Sequence, residues 1–259
     1  MMILAEPGCL DSSQKESGIL GDETRSPEEQ LIVALDFPSG REALDLVDRL
    51  EGTCRWFKVG MELFYVEGRG IVERLRQRGF DIFLDLKLHD IPNTVAGAVR
   101  SLEGVGASLL TVHAGGGAAM MAAARDAVGS SAMRLLAVTV LTSMDSEQMA
   151  GVGVRDSPMD QVLRLGRLAW EAGIDGMVCS AEEVGAMREA LGEGALLVVP
   201  GIRPAGADAG DQRRVAGPGE ALRRGASMLV VGRPITRADN PAAAARGILA
   251  EMDGARGGS

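Results

Sequence analysis

The stretch Phe83-Leu84-Asp85-Leu86-Lys87-Leu88-His89-Asp90 decides how the rest of the chain is read. It opens as a strand and closes as a charged loop. Side chains alternate along a strand, so Phe83, Asp85 and Lys87 are expected on one face and Leu84, Leu86 and Leu88 on the other. The leucine face can pack beneath helices. The opposite face then carries a carboxylate and an ammonium side by side, in a segment too apolar for a wet edge. Burying such a pair costs several kcal/mol per ion before any attraction is counted. Two readings follow, a structural ion pair inside a barrel or a site of chemistry, and the other strands favour the second.

Working outward, short apolar runs alternate with amphipathic stretches from Leu31 onward. Strands are expected at Leu31 to Asp36, Trp56 to Met61, Ile82 to Leu88 and Leu109 to Ala114, then at Leu135 to Leu141, Met177 to Ser180, Leu196 to Val199 and Met228 to Val231. The helices between them are expected at Arg41 to Leu50, Ile71 to Arg78, Asn93 to Glu103 and Ala118 to Val128, then at Met159 to Glu171, Glu182 to Leu191, Glu220 to Arg224 and Ala242 to Met252. Strands this continuously rich in Val, Leu and Ile belong to a parallel sheet buried on both faces. Eight such units in roughly 230 residues fit a single (β/α)8 TIM barrel better than an open, doubly wound sheet. The expected organisation is an N-terminal extension over residues 1–27, the barrel over 28–253 and a flexible tail over 254–259.

Bulk composition narrows the function. The chain has 259 residues, 46% of them hydrophobic, enough for a full core. A formal charge of −9 argues against a nucleic-acid surface or a basic membrane anchor. No apolar run approaches the ~20 residues of a membrane span. Three cysteines, Cys9, Cys54 and Cys179, show no CxxC spacing, which suggests a reducing, cytoplasmic setting. Two histidines, His89 and His113, are too few for a His-based metal cage, so no metal is expected.

In a TIM barrel, chemistry sits at the C-terminal ends of the strands. Read in order, those ends carry Asp36, Lys58, Asp85 with Lys87 and Asp90, Thr142, Arg203, and Gly232 with Arg233. A solvated rim would be polar too, but ionisable groups inside apolar strands two and three are harder to dismiss. Loops after strands seven and eight often hold phosphate, and Gly232 with the planar fork of Arg233 suits that task. The long stretch from Arg203 to Gln212 has the length of a lid. His89 is expected to orient a loop or an interface, and His113 to be a hydrogen-bonded structural residue. Met120, Met121 and Met133 are expected to serve packing.

Stretch by stretch, the chain resembles the orotidine 5'-phosphate decarboxylases. The resemblance is carried by Ile32-Val33-Ala34-Leu35-Asp36, by Phe57 to Phe64, by Phe83 to Pro92 with its D-x-K-x-x-D core, by Val138 to Ser143, by Pro200 to Arg203, by Asp211-Gln212-Arg213 and by Val231 to Thr236. It spans nearly everything from Leu31 to Met252. It implies a cofactor-free decarboxylation of a small nucleotide, orotidine 5'-monophosphate, to UMP. By matching position, Lys87 would protonate C6 and Asp85 would lie against the substrate carboxylate. Lys58 and Asp36 would complete the charge array and hold ribose hydroxyls. Asp90 would reach into the site of a second subunit, making the active unit a homodimer. Ile91, Thr94 and Thr142 would line the substrate, and Arg203, Gln212, Gly232 and Arg233 would bind phosphate or close over it. The nearest rivals are sugar-phosphate enzymes such as 3-keto-L-gulonate-6-phosphate decarboxylase and hexulose-6-phosphate synthase, which share the core but use Mg2+. Lys58 argues against them, because a cation there competes with a metal. A catalytically silent nucleotide-binding barrel is the rival from outside enzymes.

Overall fold

The computed structural model describes residues 25–204 and 216–256, so most of the expected N-terminal extension, the Ala205 to Gln212 part of the expected lid and residues 257–259 lie outside the described residues. The strands are β1 (Leu31–Ala34), β2 (Trp56–Gly60), β3 (Asp81–Leu88), β4 (Leu109–His113), β5 (Arg134–Val138), β6 (Gly176–Val178), β7 (Leu196–Val199) and β8 (Met228–Val231). They pair in chain order into a closed barrel, all in parallel, and β1 closes the ring on β8 through Leu31–Leu229 and Val33–Val231 pairing. The expected TIM barrel is therefore the fold, and the open sheet is set aside.

The helices are α1 (Pro27–Gln30), α2 (Gly40–Arg49), α3 (Met61–Glu67), α4 (Arg69–Gln77), α5 (Pro92–Leu102) and α6 (Gly117–Val128), followed by α7 (Ser146–Gly151), α8 (Pro158–Glu171), α9 (Val184–Leu191), α10 (Pro218–Arg223), α11 (Arg233–Thr236) and α12 (Pro241–Gly254). Their starts follow local chemistry. Side chains of Ser39, Asp145, Ser157 and Asn240 accept backbone N–H groups of the first turns of α2, α7, α8 and α12. Proline opens α5, α8 and α12, where its missing N–H costs nothing.

Strand alternation divides the core in two. Val33, Leu84, Leu110 and Leu197 face outward and pack with helix residues such as Ile71, Leu75, Val99 and Ile248. Ile32, Trp56, Phe83, Leu109, Leu136 and Met228 face inward and fill the barrel itself. At the N-terminal ends of the strands, Arg188 of α9 ties the wall together. Its guanidinium donates to the carbonyls of Gly192, Ala195 and Gly225 and to the Ser227 hydroxyl, which in turn accepts the N–H of Leu197.

The structure corrects several expected boundaries. β1 stops at Ala34 and β5 at Val138, which leaves Asp36 and Thr142 on loops beyond their strands. α3 begins immediately after Gly60, with no connecting loop, whereas the expected strand runs to Met61 and the next expected helix covers only Ile71 to Arg78. α7 and α11 are further short helices within expected connections. α12 runs to Gly254, and Arg256 still bonds back to Arg25 and Gln30.

Leu197 of β7 is completely buried in the outer layer. Leu197→Ala should lower the unfolding free energy by about 2–5 kcal/mol, read from urea denaturation with an unchanged m-value.

Candidate active site

Three neighbouring strands build one charged layer on an apolar floor. On the inward face, Ile32 and Ala34 of β1 lead to Asp36, Trp56 of β2 to Lys58, and Phe83 of β3 to Asp85. The lower member of each series is buried hydrocarbon. The upper member is charged and stands at the C-terminal mouth of the barrel.

The charges alternate in sign along the row. Lys58 Nζ lies 2.7 Å from Asp36 Oδ1 and 3.9 Å from Asp85 Oδ2. Lys87 Nζ lies 2.8 Å from that same Asp85 oxygen. The inner members are well shielded, with side-chain exposures of 11% for Lys58 and 14% for Asp85, while Lys87 and Asp36 rise to 29% and 58% at the opening. Two cations and two carboxylates therefore neutralise one another in a partly dry setting, which offsets the cost of taking each from water. Gly60 makes room for the row. A Cβ there would lie 3.0 Å from Asp36 Oδ1 and 3.1 Å from Lys58 Nζ.

β3 is not a regular strand at this point. Its pairing with β4 runs Phe83–Leu109 and Leu84–Leu110, then resumes only at Leu88–Val112. Two additional residues are thus accommodated on β3, and Lys87 takes the left-handed backbone conformation, φ 51°. The simple alternation expected for this stretch is broken at its most charged residue. The Lys87 N–H donates to the Thr111 hydroxyl at 2.8 Å, and that hydroxyl lies 3.0 Å from Asp85 Oδ1. Thr111 was absent from the sequence-derived site, because a threonine in an apolar strand is an ordinary β-former.

The remaining candidates stand at the same end of the barrel without joining the row. Asp90 is exposed, and its carboxylate accepts the N–H of Ile91 at 2.6 Å. Ile91 is 67% exposed, and Thr94, in the first turn of α5, is also exposed. Thr142 lines a cavity of about 350 Å3 after β5, together with Met144, Ser157, Met159 and Glu183. Arg203 follows β7, where an Ile202–Ala216 bridge joins the two sides of the 205–215 segment. Gln212 lies outside the described residues. Gly232 and Arg233 follow β8 and begin α11. Among the described residues, no cluster of three or more His, Cys, Asp or Glu side chains is arranged to hold a metal ion. No helix among them is long and apolar enough to cross a membrane.

His89 and His113 stack with ring centroids 5.1 Å apart, and His113 Nδ1 accepts the N–H of Gly115. Burial foremost, then His89 and Lys87, hold the His113 imidazole below its ordinary range. Met120, Met121 and Met133 are buried packing, as expected. Cys54 and Cys179 are both buried, and burial, with Glu28 nearby, pushes the Cys54 thiol up to about 12.

Comparison with known proteins places the chain among its relatives. The sequence model of the "Orotidine 5'-phosphate decarboxylase / HUMPS family" matches residues 29–248. A Haemophilus influenzae protein named orotidine 5'-phosphate decarboxylase is 52% identical over 222 residues, covering 85% of this chain and 96% of its own. An Anaeromyxobacter protein of the same name is 53% identical over 226 residues, covering 87% and 99%. The crystal structure of orotidine 5'-phosphate decarboxylase from Lactobacillus acidophilus superposes with a TM-score of 0.77 at 40% identity, covering 86% of this chain and 99% of that one.

His113 should leave a signature in the pH dependence of stability. The unfolded chain takes up its proton near pH ~6.5, whereas the folded site resists it, so this stabilisation is present above that value and lost as pH falls through it. His113→Asn, which keeps an acceptor for Gly115, should therefore show a stability deficit at pH 7.5 that narrows by pH 5. Urea unfolding at the two values checks this, and a constant deficit would contradict it.

Proposed function

Because the chain belongs to the orotidine 5'-phosphate decarboxylase / HUMPS family, we propose that it converts orotidine 5'-monophosphate to UMP with the Asp36–Lys58–Asp85–Lys87 row as its machinery. Proteins of that decarboxylase name match it over most of their length. The observation that carries the assignment is the alternation of charge at 2.7, 3.9 and 2.8 Å across the mouth of the barrel.

The chemistry explains why such a row is useful. Breaking the bond from C6 to the carboxylate leaves its electron pair on C6, with no adjacent carbonyl to absorb it. A fixed cation must stabilise that charge and a proton must reach it. Lys87 serves both needs: its ammonium stands at the opening and transfers a proton from Nζ to C6 as neutral CO2 departs. Asp85 lies against the substrate carboxylate. Two like charges ~4 Å apart repel by about 4 kcal/mol at an effective dielectric of about 20, and that repulsion disappears with the departure of CO2. Lys58 neutralises Asp36 and Asp85 from below and leaves Asp36, the most exposed member, to meet ribose hydroxyls.

The phosphate falls to Arg203, Gln212, Gly232 and Arg233 after β7 and β8, and the pyrimidine to Thr142 and its cavity. Binding energy at the remote phosphate positions the ring over the charge row. Asp90, with Ile91 and Thr94, serves the site of a second subunit. The exposure of Asp90 beside a large exposed apolar residue supports that assignment. The reading is thus a homodimer with shared sites, acting without a cofactor. The rival reading is a Mg2+-dependent sugar-phosphate enzyme that shares the D-x-K-x-x-D core. The ammonium of Lys58 between two carboxylates favours the decarboxylase, because it fills the position that a divalent cation would need.

Lys87→Ala should lower turnover of orotidine 5'-monophosphate by about 10,000-fold or more while leaving UMP binding measurable by calorimetry. Near-normal turnover would overturn the mechanism, and loss of parental activity in EDTA would favour the metal-dependent branch. Mixing Lys87→Ala with Asp90→Ala subunits should recover part of the activity, since each hybrid dimer holds one site with both native residues. No recovery after confirmed subunit exchange would count against the shared site.

A further inference from the structure

We infer that Thr111 is a positioning residue that sets the Asp85–Lys87 pair through its hydroxyl alone. Thr111 is completely buried on β4, on the inward face above Leu109. Its hydroxyl has two close partners, the N–H of Lys87 at 2.8 Å and Asp85 Oδ1 at 3.0 Å. The direction of both bonds is forced. An ionised carboxylate can only accept and a backbone N–H can only donate, so the single hydroxyl proton goes to Asp85 and a lone pair receives Lys87.

This hydroxyl acts at two places that the reaction needs. Asp85 has one oxygen, Oδ2, turned to Lys87 Nζ at 2.8 Å and to Lys58 Nζ at 3.9 Å. The other oxygen is held by Thr111, which fixes the rotation of the carboxylate about its own axis. The Lys87 backbone is left-handed at φ 51° where the pairing with β4 breaks. Its N–H finds the Thr111 side chain, which anchors the residue whose Nζ delivers the proton. One hydroxyl therefore couples the backbone of the cation to the carboxylate of the anion. Without it, Lys87 keeps its charge and Asp85 keeps its ammonium partners, but the angle between the two groups is no longer imposed.

The rate test rests on the decarboxylase reading, and a second readout depends on geometry alone. Thr111→Val replaces the hydroxyl by a methyl of similar size, and Thr111→Ser keeps the hydroxyl. For Thr111→Val, kcat should fall about 10- to 100-fold with KM within about threefold of the parent, as for a displaced catalytic group. Thr111→Ser should stay close to the parent in both. In the ligand-free protein, the Lys87 amide resonance should move in Thr111→Val and return in Thr111→Ser. If Thr111→Val does not fold, Thr111→Ala makes the same deletion without the added methyl. Parental kcat in the valine variant, equal impairment in the serine variant, or an unmoved Lys87 amide would overturn the inference. A parent that fails to decarboxylate orotidine 5'-monophosphate would overturn the function instead, and the amide resonance would still decide the role of Thr111.

Discussion

The Asp85 carboxylate is the constraint on which the upper barrel depends. It stands directly above Phe83 in the interior of a closed barrel, where an unpaired charge would cost several kcal/mol. Its partners come from three strands: Lys58 from β2, Lys87 from its own β3 and Thr111 from β4. Each of those residues is in turn held by something else. Lys58 has Asp36 at 2.7 Å, and Lys87 has its N–H on Thr111. Removing any one member leaves a charge or a donor without its match, so the row behaves as a unit rather than as a set of pairs.

The closed barrel makes such a row possible. Parallel pairing of β1, β2, β3 and β4 in chain order places corresponding residues of successive strands side by side. Lys58 pairs with Ala34 on one side and with Phe83 on the other, so the charges two residues further on, Asp36 just past β1 and Asp85 on β3, fall within reach of its amine. The apolar layer of Trp56, Phe83 and Leu109 beneath them keeps water out from below. Opposite, at the N-terminal ends, Arg188 serves the wall and takes no part in the row. The stabilising contacts of Arg188 and the proposed chemistry thus lie at opposite ends of the barrel.

Much of this was legible in the sequence for a simple reason. Strands buried on both faces must be continuously apolar, so Lys58, Asp85 and Lys87 stood out as charges in the wrong place. The eight-unit rhythm was legible on the same basis. α3 was not, because it starts directly after Gly60, with no connecting loop to set its apolar Leu63, Phe64 and Val66 apart from the strand before them. The bulge on β3 was hidden too, since nothing in a run of alternating leucines signals where the pairing partner will skip. Thr111 escaped for the opposite reason: its type is common in strands, and only its two hydrogen-bond partners distinguish it. Asp90 was legible as part of a motif, yet a single chain leaves it at the surface with Ile91.

The left-handed residue at Lys87 follows from what the row demands. In an extended strand, residues two apart on one face are separated by about 6.6 Å along the chain. A long side chain rising straight from such a position would carry its ammonium away from Asp85 and out through the mouth. Turning the backbone at Lys87 re-aims the side chain and brings Nζ to 2.8 Å from Asp85. A non-glycine residue in that conformation costs about 1–2 kcal/mol. The bond from its N–H to Thr111 and the ion pair it enables both act against that cost. Glycine would adopt the turn freely but brings no ammonium, so the strain is the condition for having a cation at that point. Backbone strain thus coincides with the residue assigned the proton transfer.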